Sequence, residues 1–147
     1  MKSVNIYLAT TVNTPQRQDG YYGFILETET EKGPATLFKM DQLEKVTQQQ
    51  AELIVLIKSL ERIKEICHLV IFTDSDYLAN GYRQKWVERW EASNWKTAKG
   101  KPVANKEEWQ RVEELLAPHE QEFKVKEQHS YKRWLNMELK KKENSDV

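Results

Sequence analysis

The sequence predicts an α/β domain built on a mixed five-stranded sheet flanked by helices. Three segments near the start alternate apolar and polar residues and are joined by short links, which is typical of an antiparallel meander. A helical pattern follows, and then an apolar run over 69–73 that ends at Asp74. Because that run is reached through a helical crossover, we expect it to lie parallel to the first strand, on a right-handed path.

The first half of the chain supplies the meander and the crossover helix. Val4, Ile6 and Leu8 alternate with Asn5, Tyr7 and Ala9. This alternation predicts a strand with one buried face. Thr47 and Gln50 form a capping box at the start of the helix. The predicted elements are a strand around 4–8, a polar loop over 11–20, a strand over 21–30, a strand around 35–40 and a helix over 48–66.

The second half of the chain returns to the sheet and ends in helices. Asn80-Gly81 predicts a break in the helix that follows Asp74, and Asn105 with Glu108 repeats the cap signature. The predicted elements are a helix from Ser75, a helix over 84–91, a basic loop over 93–103, a helix between Asn105 and Pro118, a strand around 123–125 and a helix over 131–141. Residues 1–141 then form one domain, and 142–147 are expected to be a frayed C-terminal tail.

The composition is that of one globular domain. The chain has 147 residues, of which 39% are hydrophobic and 31% charged, and its formal net charge is zero. This neutrality argues against a protein that coats nucleic acid indiscriminately. The one cysteine, Cys67, permits no internal disulfide and is expected to be a small buried residue. The sequence shows neither a membrane-spanning run nor a signal-peptide pattern, so we expect a cytoplasmic location and no membrane partner.

Residues 83–106 form a basic, aromatic segment, which we call the basic handle. It contains seven Lys or Arg residues against two Glu residues, a local net charge of +5. Trp86, Trp90 and Trp95 are interleaved with these cations. Because cations neutralise phosphates and flat rings pack on sugars or bases, this composition predicts contact with a nucleic-acid backbone.

Two motifs of this region resemble those of a known family. The sequences FTDSDYLANG at 72–81 and WKTAKGKPVANKEEWQR at 95–111 are similar to the hallmarks of ribonucleases H that carry a basic protrusion. The resemblance spans roughly residues 3–139 and implies the ribonuclease H-like fold. It also implies RNA–DNA hybrid, or a related duplex, as the partner.

The resemblance further implies a set of residues that contact the duplex. Gln49 replaces an asparagine that contacts the hybrid in relatives, and the others belong to the basic handle. Of the tryptophans, Trp90 and Trp95 are expected to be exposed, whereas Trp86 and Trp109 are expected to pack internally. The expected contacts are Gln49, Arg83, Lys85, Trp86, Arg89, Trp90, Trp95, Lys96, Thr97, Lys99, Lys101 and Asn105.

In this family, catalysis is understood to use two Mg²⁺ ions held by four carboxylates. Glu52, in the segment TQQQAEL, and Asp74 match the second and third ligands and are the expected metal-binding residues. For Asp74, the alternative is that it caps the next helix. Ala9 stands at the first ligand position and has no metal-binding atom. A magnesium site here is therefore expected to be weak or absent.

The last part of the predicted site is ambiguous. His129 matches the family histidine, although the glycines that surround it in relatives are missing. Glu138 fits the fourth ligand only with a one-residue deletion and is otherwise a solvated helix charge. Asp76 adds a negative charge near Asp74, which would repel a substrate phosphate unless a metal neutralises it.

Three hypotheses remain open from the sequence. The first is a module that binds hybrid without cutting it. The second is an active, Mg²⁺-dependent ribonuclease H with a rearranged site built from Glu52, Asp74 and Glu138. The third is a scaffold in which the tryptophans of the basic handle contact a protein partner. The oligomeric state is open in all three.

Overall fold

The computed structural model describes residues 1–145, which form a five-stranded mixed sheet with helices on both faces. The strand order is β3-β2-β1-β4-β5, so the predicted fold class is confirmed. The strands are β1 (Lys2–Thr10), β2 (Gln18–Thr30), β3 (Gly33–Val46), β4 (Cys67–Thr73) and β5 (Glu120–Val125). The helices are α1 (Gln48–Leu60), α2 (Asp76–Arg83), α3 (Trp86–Ala92), α4 (Lys106–Leu116) and α5 (Lys132–Ser145).

The central strand β1 brings the two halves of the sheet together. It pairs antiparallel with β2 and parallel with β4, and β4 pairs parallel with β5. Tyr7 lies opposite Phe72, so the same register carried two residues further brings Ala9 level with Asp74. The predicted neighbourhood of these two positions at the carboxyl ends of adjacent strands is therefore confirmed.

The two faces of the sheet are covered by different helices. Ile6 and Ile71 point into the larger core beneath α1 and α4, where Leu53 and Trp109 are fully buried. Tyr7 faces the other side, with a smaller cluster that includes Leu135 of α5. Both faces of β1 are therefore buried, and the prediction of a single buried side is wrong, because helices cover both faces of this central strand. No helix within residues 1–145 is long and apolar enough to cross a membrane.

Several element bounds differ from the prediction. β3 continues to Val46 because its polar second half still pairs with β2, and backbone pairing leaves no mark in side-chain hydropathy. α1 ends at Leu60, six residues early, and Ile63 follows in a tight turn in which its amide bonds the Leu60 carbonyl at 3.0 Å. Cys67 is buried as predicted, at the start of β4.

The C-terminal helix is also longer than predicted. α5 continues to Ser145, whereas the sequence predicts its end at residue 141. Part of the predicted frayed tail, 142–145, is therefore helical, and its fraying stays a prediction. Residues 146 and 147, the rest of that tail, lie outside the described residues.

The predicted helix break at Asn80-Gly81 is wrong, because α2 continues through both residues to Arg83. Gly81 serves packing instead. The indole of Trp109 lies against its Cα, and a Cβ placed on Gly81 would overlap that ring. A glycine in a helix interior costs about 0.5–1 kcal/mol relative to alanine, which close packing of the fully buried Trp109 offsets.

This packing leads to a stability prediction for Gly81→Ala. We expect a loss of about 1–3 kcal/mol in the free energy of unfolding, measured by urea denaturation, because the new methyl group overpacks the core. The loss should shrink in a Trp109→Phe background, since a smaller ring makes room for the methyl group. Strictly additive losses in the double variant would show that the contact between the two residues is not the cause.

Candidate functional site

A pocket of about 220 Å³ lies at the carboxyl ends of β1 and β4. Open α/β sheets bind ligands at this edge. Three of the four predicted catalytic residues line the pocket, and Glu138 does not. The polar residues that line it, together with Ala9, are Thr10, Asn13, Gln48, Glu52, Thr73, Asp74, Ser75, Glu127, His129, Lys132 and Asn136.

Glu52 enters the pocket from α1 and is held by a hydroxyl group. The Ser75 hydroxyl donates a hydrogen bond of 2.8 Å to Glu52 Oε1. Burial raises the pKa of Glu52 above its ordinary value, and the charges of Asp74 and Asp76 act in the same direction, although the hydrogen bonds of Ser75 and Gln48 oppose them. This carboxylate is therefore desolvated and held in one orientation.

Asp74 does not cap α2, contrary to one of the two predicted roles. Ser75 is the N-cap, and its Oγ accepts a hydrogen bond of 3.0 Å from the Leu78 amide. The Asp74 carboxylate instead accepts a hydrogen bond of 2.9 Å from Lys132 Nζ, at the start of α5. Asp74 is thus available to the pocket, but it already has a cationic partner within the protein.

A second lysine neutralises the neighbouring carboxylate. Lys126 Nζ lies 2.8 Å from Asp76 Oδ2, and this pairing raises the pKa of Lys126. The repulsion that Asp76 was expected to impose on a phosphate is therefore opposed by a lysine rather than by a metal. Sequence reasoning missed both lysine pairs, which join residues 50 and 58 positions apart.

Helix α5 presents an amide, rather than a carboxylate, to the pocket. Asn136 lines the pocket together with Lys132, one helical turn before it. Glu138 lies outside the pocket, contrary to the prediction, and pairs with Lys141 at 3.3 Å. The reason is helical geometry, because two residues beyond Asn136 place a side chain on another face of the helix.

His129 lies in the pocket with its ring packed on aromatic side chains. The ring centroids of His129 and Tyr7 are 4.5 Å apart, and those of His129 and Phe72 are 5.4 Å apart. The Tyr131 amide donates a hydrogen bond of 3.2 Å to Nδ1, which therefore carries no proton. Burial, followed by the charge of Lys132, lowers the pKa of His129, so the ring is neutral at neutral pH.

A half-buried carboxylate, Glu27, fixes the loop that carries His129. Glu27 accepts hydrogen bonds from Tyr7 at 2.8 Å, Tyr131 at 2.6 Å and Asn5 at 3.0 Å. Burial raises the pKa of Glu27, but these three donors outweigh it and hold the pKa below its ordinary value. Tyr131 thus anchors a loop that lacks the glycines of relatives.

The tryptophans of the basic handle form an internal cluster. Trp90 lies 5.8 Å from Trp95 and 5.5 Å from Trp109, measured between ring centroids. Trp95 is only 9% exposed and Trp90 is half-buried, so the predicted exposure of these two rings is wrong. Asn94 and Trp95 both have left-handed backbone angles, φ 57° and 59°, which turn the Trp95 ring back toward the domain.

The predicted basic loop contains a small hairpin. Lys96 and Pro102 form a β-bridge, and the Thr97 amide donates a hydrogen bond of 2.7 Å to the Lys101 carbonyl. Gly100 adopts φ +79° at the tip, a conformation that favours glycine. The side chains of Lys96, Lys99 and Lys101 are exposed.

The remaining predicted contacts divide into internal and exposed residues. Asn105 is the N-cap position of α4 but does not cap it, since its amide donates to the Tyr77 hydroxyl at 3.2 Å. Glu108 accepts from Gln50 at 3.1 Å instead of closing a capping box. Arg83 donates to the Phe123 carbonyl. The exposed predicted contacts are Gln49, Arg83, Lys85, Arg89, Lys96, Thr97, Lys99 and Lys101.

Helix α2 links the pocket to the basic handle. It begins at Asp76, beside the pocket, and ends at Arg83, the first residue of the basic handle. Eight helical residues span about 12 Å. That length equals about three to four nucleotide steps along one strand of a duplex.

Sequence comparisons match most of this chain. The family model described as RNase H matches residues 1–138. A ribonuclease H from Clostridium botulinum strain Hall is 36% identical over 129 residues, which cover 86% of this chain and 84% of the relative. A ribonuclease H from Acetivibrio thermocellus is 34% identical over 119 residues, which cover 81% of this chain and 78% of the relative.

Solved structures share the fold at lower identity. LC9-RNase H1, described as a type 1 RNase H with the type 2 active-site motif, has a TM-score of 0.79 at 18% identity, with 100% of this chain and 74% of that chain covered. The foamy viral protease-reverse transcriptase in complex with RNA/DNA hybrid has a TM-score of 0.68 at 14% identity, with 99% of this chain and 20% of that chain covered.

The strand order and the acidic pocket between parallel strand ends define a ribonuclease H-like protein. With the family match over 1–138 and relatives above 30% identity, the chain belongs to the ribonuclease H family. At the level of the family, ribonucleases H bind and cleave RNA–DNA hybrids and generally depend on divalent metal ions.

The donor set of this pocket does not fit the two-metal site that the family implies. Ala9 and Asn136 supply no carboxylate, and the Asp74 carboxylate is paired with Lys132. Glu127 also lines the pocket, but within residues 1–145 no group of three His, Cys, Asp or Glu side chains is arranged to hold a metal ion. Two adjacent dications need more anionic ligands than Glu52 and Asp74 supply.

Proposed function

We propose that this protein binds RNA–DNA hybrid, or a related duplex, through the basic handle and cleaves it weakly or not at all. The observation that carries the proposal is the Lys96–Pro102 hairpin, whose three exposed lysines project from a base of packed tryptophans. A backbone that is already fixed by hydrogen bonds loses less conformational entropy on binding than a mobile loop. Relatives named ribonuclease H support hybrid as the duplex.

The impaired cleavage follows from the chemistry of the pocket. Phosphodiester hydrolysis by two metals needs ligands that hold both ions beside the scissile phosphate. Here Glu52, Asp74 and His129 share one pocket, but Ala9 and Asn136 are neutral and Lys132 competes for Asp74. Any Mg²⁺ that binds would be held by Glu52 and Asp74. Lys132 and Asn136 can donate hydrogen bonds to a phosphate oxygen, but they do not supply the anionic ligands that activation of water by two metals requires.

Residual enzyme activity is the alternative that a specific observation favours, because Glu52, Asp74 and His129 do converge as in an active site. The scaffold hypothesis loses its original basis, since the tryptophans that were to contact a partner pack on one another. A protein partner and a cytoplasmic location stay predictions.

A cleavage assay run beside a gel shift tests the proposed function. Labelled RNA–DNA hybrid is incubated with the protein in Mg²⁺, and retention of the same hybrid is measured at low salt. We expect retention without Mg²⁺-dependent cleavage. Cleavage at a rate typical of ribonucleases H would establish the enzyme hypothesis, and absence of retention would contradict the binding role. A single-stranded RNA of the same sequence serves as the control ligand.

A further inference from the structure

The Lys132 ammonium group lies beside Asp74, where a metal ion bound by this carboxylate would lie. Its Nζ is 2.9 Å from Asp74 Oδ1, and its side chain is 24% exposed. Asn136, one turn later on α5, lines the same pocket. Mg²⁺ needs near-octahedral oxygen ligands at about 2.0–2.1 Å and several water molecules, and a neighbouring ammonium both obstructs and repels it.

The position of Lys132 in its helix is locally unfavourable. It is the first residue of α5, the first turn contains no acidic residue, and Arg133 follows directly. Cations at a helix N-terminus oppose the macrodipole, and a local rule broken without local compensation points to a functional constraint. The pairing with Asp74, in the link between β4 and α2, supplies that compensation.

We propose that Lys132 is a tethered counter-ion that excludes divalent metal from Asp74, so that this protein binds its duplex without Mg²⁺. Lys126 pairs with Asp76, the first residue of α2, in the same way. Both carboxylates at the junction of β4 and α2 therefore have a lysine partner. An ammonium attached to the fold acts at an effective concentration of about millimolar or more. It therefore competes with free cations for the Asp74 carboxylate. The binding of a duplex is the one part of this inference that rests on the proposed function.

The decisive test measures metal binding in the absence of nucleic acid. Mn²⁺ is titrated into ¹⁵N-labelled protein, and paramagnetic broadening of the Asp74 and Ser75 amide signals reports occupancy beside Asp74. We expect little broadening in the unmodified protein and at least about tenfold tighter Mn²⁺ binding in Lys132→Gln, because this change removes the competing charge. Lys132→Arg keeps the charge and should behave like the unmodified protein.

Lys141→Gln is the matched control for this test. It removes a lysine that also belongs to α5 and also pairs with a carboxylate, Glu138, but outside the pocket. We expect no change in Mn²⁺ binding. Equal broadening at Asp74 in the unmodified protein and in Lys132→Gln would overturn the proposal. Strong broadening of the Asp74 signal in the unmodified protein would also overturn it. That measurement needs no variant and therefore does not depend on how a variant folds.

A second measurement separates this inference from the proposed function. Hybrid binding is compared in EDTA and in millimolar Mg²⁺ at matched ionic strength, by fluorescence anisotropy. We expect dissociation constants that agree within about twofold, and a strict requirement for Mg²⁺ would overturn the inference. Absence of binding in both buffers would overturn the proposed function, whereas the Mn²⁺ titration would still decide the role of Lys132.

Discussion

Charge reversal of Lys96, Lys99 and Lys101 to Glu is expected to weaken hybrid binding by about a thousandfold or more at about 50 mM salt. Each phosphate contact contributes about −0.9 to the slope of log K against log salt, so three lost contacts remove roughly three powers of ten at that concentration. The slope itself should become shallower by about 2.7. Titrations of labelled hybrid at several salt concentrations measure both quantities.

The loss should be similar for all sequences, because lysine contacts to phosphate carry no base information. The matched control reverses three exposed lysines on another surface, Lys39, Lys58 and Lys64, which border a shallow depression between β3 and α1. Both triple variants change the net charge equally. Equal losses of binding in the two variants would assign the effect to overall charge and contradict a specific role of the hairpin.

The hairpin lysines also show which parts of an interface a sequence can predict. Their exposure follows from composition, because seven cations in one short segment cannot all be buried. The burial of Trp95 does not follow from it, since this ring depends on the left-handed conformations at Asn94 and Trp95. Such conformations are rare for tryptophan, and here the Trp90 ring and backbone hydrogen bonds to Trp90 and from Val103 stabilise the one at Trp95.

The sheet was predictable because its determinants are local or topological. Alternation along β1 and the crossover through α1 together imply that Ala9 and Asp74 lie on adjacent parallel strands. The pocket partners were not predictable in the same way. The pair of Lys132 with Asp74 joins residues 58 positions apart, and it depends on the rotation of α5 about its axis. Spacing along the chain predicts Glu138, but the rotation of α5 places Asn136 in the pocket instead.

Gly81 illustrates a different limit of sequence reasoning. Asn-Gly is a strong turn signal, so a helix break was the natural expectation. In the fold the glycine lies within α2 because Trp109, 28 residues later, occupies the space of its missing side chain. A turn and a close-packed helix place the same demand on the residue, namely the absence of a Cβ, and only the partner distinguishes them.

Restoration of a metal site requires more than the missing first aspartate. Ala9→Asp alone supplies one carboxylate, but Asn136 remains neutral and Lys132 remains paired with Asp74. Leu8 is best left unchanged, since it is buried in the core and a polar replacement would cost stability. The variant to build therefore combines Ala9→Asp, Asn136→Asp and Lys132→Gln.

In this triple variant we expect Mg²⁺ binding measurable by calorimetry, together with Mg²⁺-dependent cleavage of hybrid at least about a hundredfold above the unmodified protein. The reason is electrostatic. Four carboxylates, with Glu52 and Asp74 among them, can neutralise two dications, and the ions then activate water and stabilise the leaving oxygen. Adding Asp74→Asn to the triple variant should abolish metal binding and cleavage together. Metal binding without cleavage would indicate that the His129 loop, which Tyr131 anchors to Glu27, is the cause of the missing activity. Equal cleavage by the unmodified protein would refute the hypothesis that its metal site is incomplete.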